Sequence, residues 1–586
     1  MKKLITSITI SLVLAGAGVF NACNYLDQAP IDSTTSGNFW KTEAQVQGFI
    51  VAMHNMMRGT YTGMHIHSMG ELRGGHYIIA SGGIDGSSLT DINYIRQDIT
   101  YQNPGINNFG GYMGMVANCN EGIERVSQAD FLTDQQKAAV NGILYGMRAF
   151  AFYDIYRTWG KAVLRLTPEV INGVTDPAQL YMARSECAEV VAQIETDLKA
   201  SLTNFENAGT GYQPYRTGGN FGVAANYWTA DATKALAADF YLWISKVSCG
   251  NWTADDKYIA TAKGYLKELE TAHPLASTFA EVFGDVSTGA TANKSTTETI
   301  FAVLGSESEY THPFVSSYMF NAGANGQTMQ TRGVSSFMED GTYDFAAYTG
   351  HSGGQQYKGY ANALFYRYDK EDSRRLATFL PCYNDKEATQ LKGTFVVKNI
   401  GRISATSGFR AFDNDIPFYR AAWVHLALAE IANYEGDNGS VETYINNVRK
   451  RAYGENWDAD KYGYKAGSFT DNELAILHEC DKEFVQEGHR WWDVNRMTLT
   501  KGGDHLVFRE EGSVGYGLPA EILAMPEVGY SYAANADPAT NAEYVVAKTI
   551  KPILDKATEA YKVLLPLNQT LMESDPLLEK DQNPGY

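Results

Sequence analysis

The sequence predicts a mainly α-helical protein, in which a TPR-like scaffold of helical repeats carries a loop-rich excursion. Two observations lead to this prediction. Apolar residues recur with a 3.6-residue period through several long segments, and two stretches between them are rich in Gly and Tyr and keep no period. The chain has 586 residues, 44% of them hydrophobic and 20% charged. The length is enough for one large hydrophobic core or several smaller ones, and the composition excludes a chain that is disordered over its whole length.

The N-terminus has the pattern of an export signal. Two lysines precede the apolar run 4–20, and Ala22 stands directly before Cys23. This order predicts a secretory signal peptide over residues 1–22. The Ala-Cys end resembles a lipobox, so we expect Cys23 to be acylated and to anchor the mature chain to a membrane. An ordinary signal peptide with an incidental cysteine is the alternative. The polar residues 23–40 are expected to form the lipidated tether.

The helical segments can be placed in order along the chain. The period predicts helices at 41–58, 112–126, 133–159, 185–202, 229–247, 254–270, 417–434, 440–453 and 470–496. Small and large residues mix on one face, as at Ala235, Ala238 and Tyr241, which is typical of TPR-like helix pairs. Residues 59–110 and 301–370 are predicted to be irregular. We therefore divide the mature chain into helical regions at 41–300 and 301–586, with the excursion at 301–415.

Charge and cysteine usage narrow the class of protein. The chain has 67 Asp+Glu against 48 Lys+Arg, a formal net charge of −19. This balance argues against nucleic acid as a partner, because proteins bind phosphate groups with clustered Lys and Arg side chains.

The five cysteines that follow Cys23 are widely spread and form no CxxC motif. We therefore expect them to be small buried apolar residues rather than a disulfide framework. They are Cys119, Cys187, Cys249, Cys382 and Cys480.

Three patterns resemble catalytic or metal sites, and the sequence around each argues against it. Residues 350–354 match G-x-S-x-G, but no convincing helix follows the serine. His and Met side chains cluster at 53–76, where copper is conceivable, although Met53 and Met57 fit the apolar face of the first helix. Asp458 opens a calcium-like loop in which Phe469 stands where a bidentate carboxylate is required. We expect no cofactor, no metal and no catalytic activity.

Charged residues on predicted helices near aromatic ones are the remaining catalytic candidates. Acidic pairs spaced for glycosidase chemistry arise by accident in so acidic a chain. We expect these residues to form buried ion pairs between helices, with a catalytic role as the minority alternative. They are Glu430, Arg449, Glu483, Glu487, Arg490 and Asp493.

The aromatic loops are the strongest chemical feature. The chain has 37 Tyr against 9 Trp. A Tyr face covers the apolar side of a sugar ring, and neighbouring Asp, Asn and Arg can bond its hydroxyl rim. Loops on a rigid scaffold are the usual place for such groups. Most of these tyrosines are expected to pack the loops onto the scaffold, and a minority to form a platform.

Several stretches, in order along nearly the whole mature chain, resemble the SusD-like (RagB/SusD) nutrient-binding lipoproteins of the bacterial outer membrane. They are the segments 23–30 and 39–43, 70–74 and 117–120, 146–160, 419–430 and 445–452, 483–493, and 565–567 with the terminal 582–586. The resemblance implies a fold of four TPR-like units with a loop-rich ligand site. It also implies a cell-surface protein that binds a glycan and acts as a lid over a SusC-like TonB-dependent transporter, without catalysis.

Family members take their ligand residues from two loops, and that placement nominates residues here. From the first loop these are Asp85, Tyr94, Arg96 and Tyr101; from the second, Tyr310, Tyr318 and Tyr343. The tyrosines would stack on a ring, and Asp85 and Arg96 would bond hydroxyls. Three alternatives stay open: capture of peptides or another nutrient on the same scaffold, a surface hydrolase, and a TPR adaptor that binds no small ligand.

Overall fold

The computed structural model describes residues 39–79, 88–102, 109–170, 172–209, 224–316, 337–342, 358–383, 385–389, 391–524 and 554–586. Several predicted features lie outside the described residues. These are the signal peptide, the tether up to residue 38, Cys23, Asp85, Tyr318, Tyr343 and the G-x-S-x-G motif.

Packed helices dominate the described part of the chain, as the sequence predicts. The longer ones are α1 (Glu43–Thr60), α2 (Ser88–Arg96), α3 (Gly110–Ser127), α4 (Asp134–Trp159), α5 (Cys187–Ala208), α6 (Ala230–Lys246), α7 (Ile259–Ala272), α8 (Ala421–Glu435), α9 (Asn438–Tyr453), α10 (Phe469–Glu483) and α11 (Arg490–Arg496). Consecutive helices pack together as α3 with α4, α4 with α5, α6 with α7 and α8 with α9. This arrangement confirms the mainly α, TPR-like scaffold.

Short helices join these elements. They are Phe279–Phe283, Pro313–Ser316, Asn362–Phe365, Arg374–Thr378, Ala459–Tyr462, Ala520–Leu523, Lys556–Glu559 and Gln569–Ser574. One of them occupies the calcium-like loop, where Asp458 caps the helix: its side chain accepts a hydrogen bond from the backbone N–H of Asp460 at 2.9 Å.

Capping explains why the longest helix starts and stops where the sequence predicts. The Thr133 hydroxyl accepts from the Gln136 N–H at 3.2 Å, and the Gln136 side chain accepts from the Thr133 N–H at 2.8 Å. This reciprocal capping box satisfies two otherwise unpaired donors. At the other end Gly160 has a φ of +79°, a conformation that favours glycine.

The strands pair two by two. They are β1 (Tyr77–Ile79), β2 (Thr299–Val303), β3 (Lys358–Tyr360), β4 (Phe379–Tyr383), β5 (Leu391–Val396) and β6 (Ile416–Arg420), and they pair antiparallel as β1 with β3, β2 with β6 and β4 with β5. Val303 lies opposite Ile416, so residues 304–415 leave and rejoin the scaffold at adjacent points. The predicted helix 417–434 is therefore wrong at its start: its first residues belong to β6.

Two other expectations need correction. The helix predicted over 470–496 is two helices, α10 and α11, because Gln486 and Gly488 adopt φ values of +62° and +77° between them. The stretch predicted to be irregular after α1 begins as a π-helix, Tyr61–Glu71. A π-helix has a wider turn than an α-helix, so its buried residues do not recur with a 3.6-residue period.

The hydrophobic core runs across the middle of the chain. Tyr61 stacks on Phe418 with ring centroids 4.0 Å apart, and Trp228 meets Phe301 edge-on at 5.0 Å. Residues from both sides of position 300 thus share one core. The division of the chain at that position stays a prediction.

A buried network of ion pairs lies beside this core. Arg420 donates through Nη1 to Glu298 at 2.9 Å and to Glu483 at 2.6 Å, and through Nε to Glu487 at 2.7 Å. Each of these side chains is at most 1% exposed. The prediction of buried ion pairs is also confirmed for Glu430 and Asp493, which pair with Arg496, and for Arg490, which pairs with Asp481. Arg449 pairs with Glu479 as predicted, but its side chain is 19% exposed.

Candidate ligand-binding surface

Parts of the two predicted loop regions meet at the π-helix. Helix α2 and the short helix Pro313–Ser316 both pack against it. His67 of the π-helix lies between them, with Nε2 3.6 Å from Asp91 Oδ1 and its ring centroid 6.4 Å from that of Phe314. Two segments that are far apart in sequence therefore border one surface.

Arg58, at the end of α1, fixes the second segment. Its guanidinium donates from Nη1 and Nη2 to Glu309 Oε1 at 3.2 Å, and from Nη1 to the Leu304 carbonyl at 3.3 Å. The same guanidinium lies 4.1 Å from the ring centroid of Tyr310. A planar cation over an aromatic ring is attractive, and more so where water is excluded. Arg58 is only 6% exposed, so this contact positions the Tyr310 ring firmly.

Tyr310 is held by a tight turn as well. The Ser306 N–H donates to the Tyr310 carbonyl at 2.7 Å, and the Tyr310 N–H donates to the Ser306 carbonyl at 2.8 Å. His312 meets the ring edge-on at 5.3 Å. Tyr310 itself is half-buried, so part of its ring can be reached from solvent. A fixed, partly exposed Tyr310 ring beside the Glu309 carboxylate fits the predicted aromatic platform.

His312 adds no positive charge to this surface at neutral pH. Burial, assisted by the positive charges of Arg58 and Lys294, lowers its pKa from 6.5 to about 3. A neutral imidazole next to Arg58 avoids repulsion between two buried cations. The positive charge beside Tyr310 therefore comes from Arg58.

The other predicted ligand-binding residues differ in how much of each side chain is exposed. Tyr94 is 1% exposed and belongs to the core, so its nomination as a stacking residue is corrected: its ring offers no face to a ligand. Arg96, two residues on, is exposed. Tyr101 is half-buried, and its carbonyl accepts from the Gln569 N–H at 3.1 Å, which places it against the C-terminal segment. Asp85, Tyr318 and Tyr343 lie outside the described residues.

A pair of buried side chains explains why Tyr94 faces inward. Arg73 Nε donates to Gln97 Oε1 at 2.9 Å, and Gln97 Nε2 donates back to the Arg73 carbonyl at 3.0 Å. The Arg73 guanidinium also lies 3.8 Å from the ring centroid of Trp491. The end of α2 is thus fixed to the scaffold, with Tyr94 on its buried side.

Sequence reasoning missed the residues that connect the segments. Arg58, His67, Asp91 and Glu309 carry the contacts, and none of them was nominated. Arg58 looks like an ordinary cation in the last turn of a helix, and its partner lies 251 positions away. The one available signal was Tyr310 itself, which directly follows Glu309.

A cavity of about 590 Å³, lined by charged and apolar side chains, lies near the Tyr310 turn. Lys294 links the two: it lines the cavity and donates to the Gly305 carbonyl at 2.7 Å and to Asp415 at 2.9 Å. Arg402, Arg410 and Asp413 also line the cavity. Cations, carboxylates and backbone groups together suit a ligand with many hydroxyls, since each can donate or accept a hydrogen bond.

The buried acidic residues offer a substrate no comparable space. The cavity beside Glu71 and Asp493 measures about 10 Å³, room for about one water molecule. Burial raises the Asp493 pKa to about 7, against the opposing effect of Arg496. In the described part of the chain, no group of three or more His, Cys, Asp or Glu side chains could hold a metal ion.

None of the helices that the structure describes is both long enough and apolar enough to cross a membrane.

Comparison with known proteins relates the chain to one family. A model described as SusD family matches residues 297–586, and one described as starch-binding and associating with the outer membrane matches residues 24–208. A crystal structure of a SusD superfamily protein from Bacteroides fragilis is 37% identical with a TM-score of 0.76, over 94% of this chain and 100% of that one. The chain belongs to the SusD family.

Other matching proteins are less similar in sequence. The structure of NanU from B. fragilis is 25% identical with a TM-score of 0.68, over 95% of this chain and 99% of that one. A SusD-like protein of Formosa agariphila is 24% identical over 224 residues, and this match spans 36% of our chain and 40% of that protein. A protein solved with a xylogluco-oligosaccharide shares the fold at 16% identity, with a TM-score of 0.60 over 91% of this chain and 98% of that one.

Proposed function

We propose that this SusD-family protein binds an oligosaccharide or polysaccharide at the cell surface and delivers it to a SusC-like TonB-dependent transporter in the outer membrane. Membership of the family carries the proposal. One matching family model is described as starch-binding, and a protein of the same fold was solved with a xylogluco-oligosaccharide.

The surface around Tyr310 suits this function chemically. A sugar ring has an apolar C–H face, which an aromatic ring covers, and a rim of hydroxyls, which charged groups bond. Tyr310 supplies the ring and Glu309 a carboxylate that is 45% exposed. The cavity lined by Lys294 offers further polar groups, and Arg96 stays nominated as an exposed cation at the end of α2. Asp85, Tyr318 and Tyr343 stay nominated as further contacts, and Tyr101 as one at the edge.

We infer that binding proceeds without catalysis. The acidic residues that the sequence singled out are committed to buried ion pairs, as Glu483 and Glu487 are to Arg420. Glycoside hydrolysis needs two carboxyl groups on either side of a bound sugar, with room for the ring between them. These pairs leave no such room.

The protein is proposed to reach its transporter through a lipid anchor on Cys23. A single acyl chain binds membranes only weakly, so stable attachment requires more than one chain. The polar segment 23–40 is proposed to connect this anchor to the folded part. Phe39 and Trp40 mark where the tether joins the fold, since Trp40 Nε1 donates to Glu121 at 3.2 Å.

Calorimetric titration of the mature chain with a panel of oligosaccharides and oligopeptides tests the proposal. Saturable binding of a glycan with no product formed is expected. Binding of peptides alone would favour capture of another nutrient on the same scaffold. Release of reducing ends would overturn the non-catalytic assignment. No binding to any member, combined with tight retention of a protein partner, would favour the adaptor.

A further inference from the structure

Two cysteines that the sequence sets far apart lie side by side in the fold. The Sγ atoms of Cys187 and Cys249 are 3.3 Å apart, and both cysteines are reduced. Cys187 is the first residue of α5, and Cys249 lies in the turn that follows α6. Of the five cysteines, Cys119, Cys187, Cys382 and Cys480 are buried as expected, and Cys249 is partly exposed. The closeness of Cys187 and Cys249 was not predicted.

We propose that Cys187 and Cys249 form a redox-active dithiol, which closes to a disulfide by exchange with a small-molecule or protein disulfide. This inference is independent of the ligand, although its operation in the cell rests on the proposed surface location, because exported proteins meet oxidising conditions.

The local backbone favours closure. A disulfide has sulfurs about 2.0 Å apart, so the two thiols need only a small rotation of their side chains. The turn around Cys249 is held by a backbone pair, in which the Cys249 N–H donates to the Trp252 carbonyl at 3.0 Å and the Trp252 N–H donates back at 2.8 Å. Gly250 lies beside the other thiol: a Cβ at this position would sit 2.8 Å from Cys187 Sγ. The glycine therefore keeps open the space that the sulfurs share.

The position of Cys187 selects it as the attacking group. Thiols at the N-terminus of a helix, near cations, ionise more readily. The hydrogen bond between the two thiols lowers the Cys187 pKa, and Lys161 and Arg184 act in the same direction, whereas burial and the Glu186 carboxylate oppose it. The Cys249 pKa is raised by the same hydrogen bond and by burial. Cys249 is thus the resolving thiol.

An oxidant can reach the pair. Both thiols line a cavity of about 380 Å³, whose walls also include Trp243, Leu564 and Gly160. Cys249 is partly exposed, whereas Cys187 is 2% exposed. A small disulfide can therefore approach through the cavity, while Cys119, Cys382 and Cys480 are closed to it.

The exchange balances without any further reactant. The Cys187 thiolate attacks one sulfur of the external disulfide and expels the other as a thiolate, which takes up a proton. Cys249 then loses its proton and attacks Cys187 Sγ, and the second external thiol leaves. The two protein thiols together lose two electrons and two protons, and the external disulfide becomes two thiols.

To test the proposal, the folded mature chain is treated with cystamine and the reaction is quenched with acid. The remaining free thiols are then alkylated in denaturant, and peptide mapping identifies the disulfide-linked cysteines. The expected result is one peptide pair linked through Cys187 and Cys249 in the wild type, with the loss of two hydrogen atoms and the other thiols alkylated. A wild type that keeps both thiols free, or that retains a stable cystamine adduct, would overturn the proposal.

Variants resolve the two roles. C249S should accumulate a stable mixed disulfide on Cys187, since nothing resolves it, whereas C187S should react much more slowly at Cys249. C382S serves as the matched control and should close like the wild type. Gly250→Ala keeps both thiols but crowds Cys187, so its closure should be slower; closure at the wild-type rate would contradict the proposed geometry.

Closure should also raise the melting temperature of the wild type by a few degrees, because the cross-link constrains the unfolded chain between residues 62 positions apart. The double variant C187S/C249S should melt at the same temperature with and without cystamine. A cystamine-dependent shift in the double variant would assign the effect to other thiols and count against the pair.

Discussion

The guanidinium of Arg58 lies 4.1 Å above the ring of Tyr310 and pairs with the neighbouring Glu309. One buried cation thus fixes both a ring and a carboxylate at the surface where α2 and the start of the excursion meet. The candidate binding residues Glu309 and Tyr310 are thus positioned by the helical scaffold, although they lie in a turn.

Tyr310→Ala should weaken glycan binding without a comparable loss of stability. Removing one stacking contact costs about 1–2 kcal/mol, roughly a tenfold rise in Kd or more. Calorimetry with the glycan identified in the panel measures it. Tyr181→Ala is the control, because Tyr181 is a tyrosine that is 39% exposed and lies in a different segment. Equal affinities for Tyr310→Ala and the wild type would place the platform elsewhere.

Arg420→Met should destabilise the fold strongly. It leaves the buried carboxylates of Glu298, Glu483 and Glu487 without their shared cation, and breaking such a pair costs about 3–5 kcal/mol. Urea unfolding followed by circular dichroism measures the loss. Arg402→Met is the control: its side chain is 64% exposed and pairs with Glu307 and Asp413. Pairs of a solvent-exposed cation contribute about 0–1 kcal/mol. Similar losses in both variants would contradict the importance of burial.

His312→Gln should flatten the dependence of stability on pH. The folded His312 binds a proton only near its pKa of about 3, whereas the unfolded one does so near 6.5. As pH falls below 6.5 the unfolded state gains the proton first, so the wild type loses up to about 1.4 kcal/mol per pH unit from this residue.

Unfolding free energies of both proteins at about pH 7 and about pH 5 test this slope. Asp493 works in the opposite direction, since its raised pKa of about 7 lets the folded state take up a proton in the same range. The difference between wild type and variant cancels that contribution. Parallel profiles for the two proteins would show that His312 is not held neutral.

Cys23→Ala should release the protein from the membrane. Without the acylated sulfur only the polar tether remains at the N-terminus, and it has no affinity for lipid. Fractionation of cells that express the full chain measures the distribution between membrane and soluble fractions. Cys249→Ala, which leaves the anchor intact, should stay with the membrane. Retention of the Cys23 variant there would refute the anchor.

Sequence reasoning found the scaffold because its signals are local. Thr133 and Gly160 bracket α4, and both act through neighbours in the chain. It failed where distant contacts decide the backbone. Between Glu483 and Glu487, which both accept hydrogen bonds from Arg420, the chain leaves the helix with Gln486 at a φ of +62°. No local sequence pattern predicts that the helix ends at this point.

The candidate site was harder to predict for the same reason. Tyr94 and Tyr310 look alike in sequence, since both are tyrosines in segments without a lasting period. What separates them is the partner on the scaffold: Arg73 and Gln97 hold the end of α2 with Tyr94 inward, and Arg58 holds Tyr310 at the surface. The choice of face depends on side chains that only the folded chain brings together.

The pairing of Val303 with Ile416 has a consequence for how such proteins diversify. Because the excursion begins and ends at neighbouring positions, its outer parts can lengthen, shorten or be exchanged at little entropic cost while the helices stay in place. Arg374 and Lys398, which anchor its base to Glu483 and Glu487, set the limit of that freedom. Evolution can therefore change the candidate binding surface by exchanging parts of the segment 304–415, while the helical scaffold stays the same.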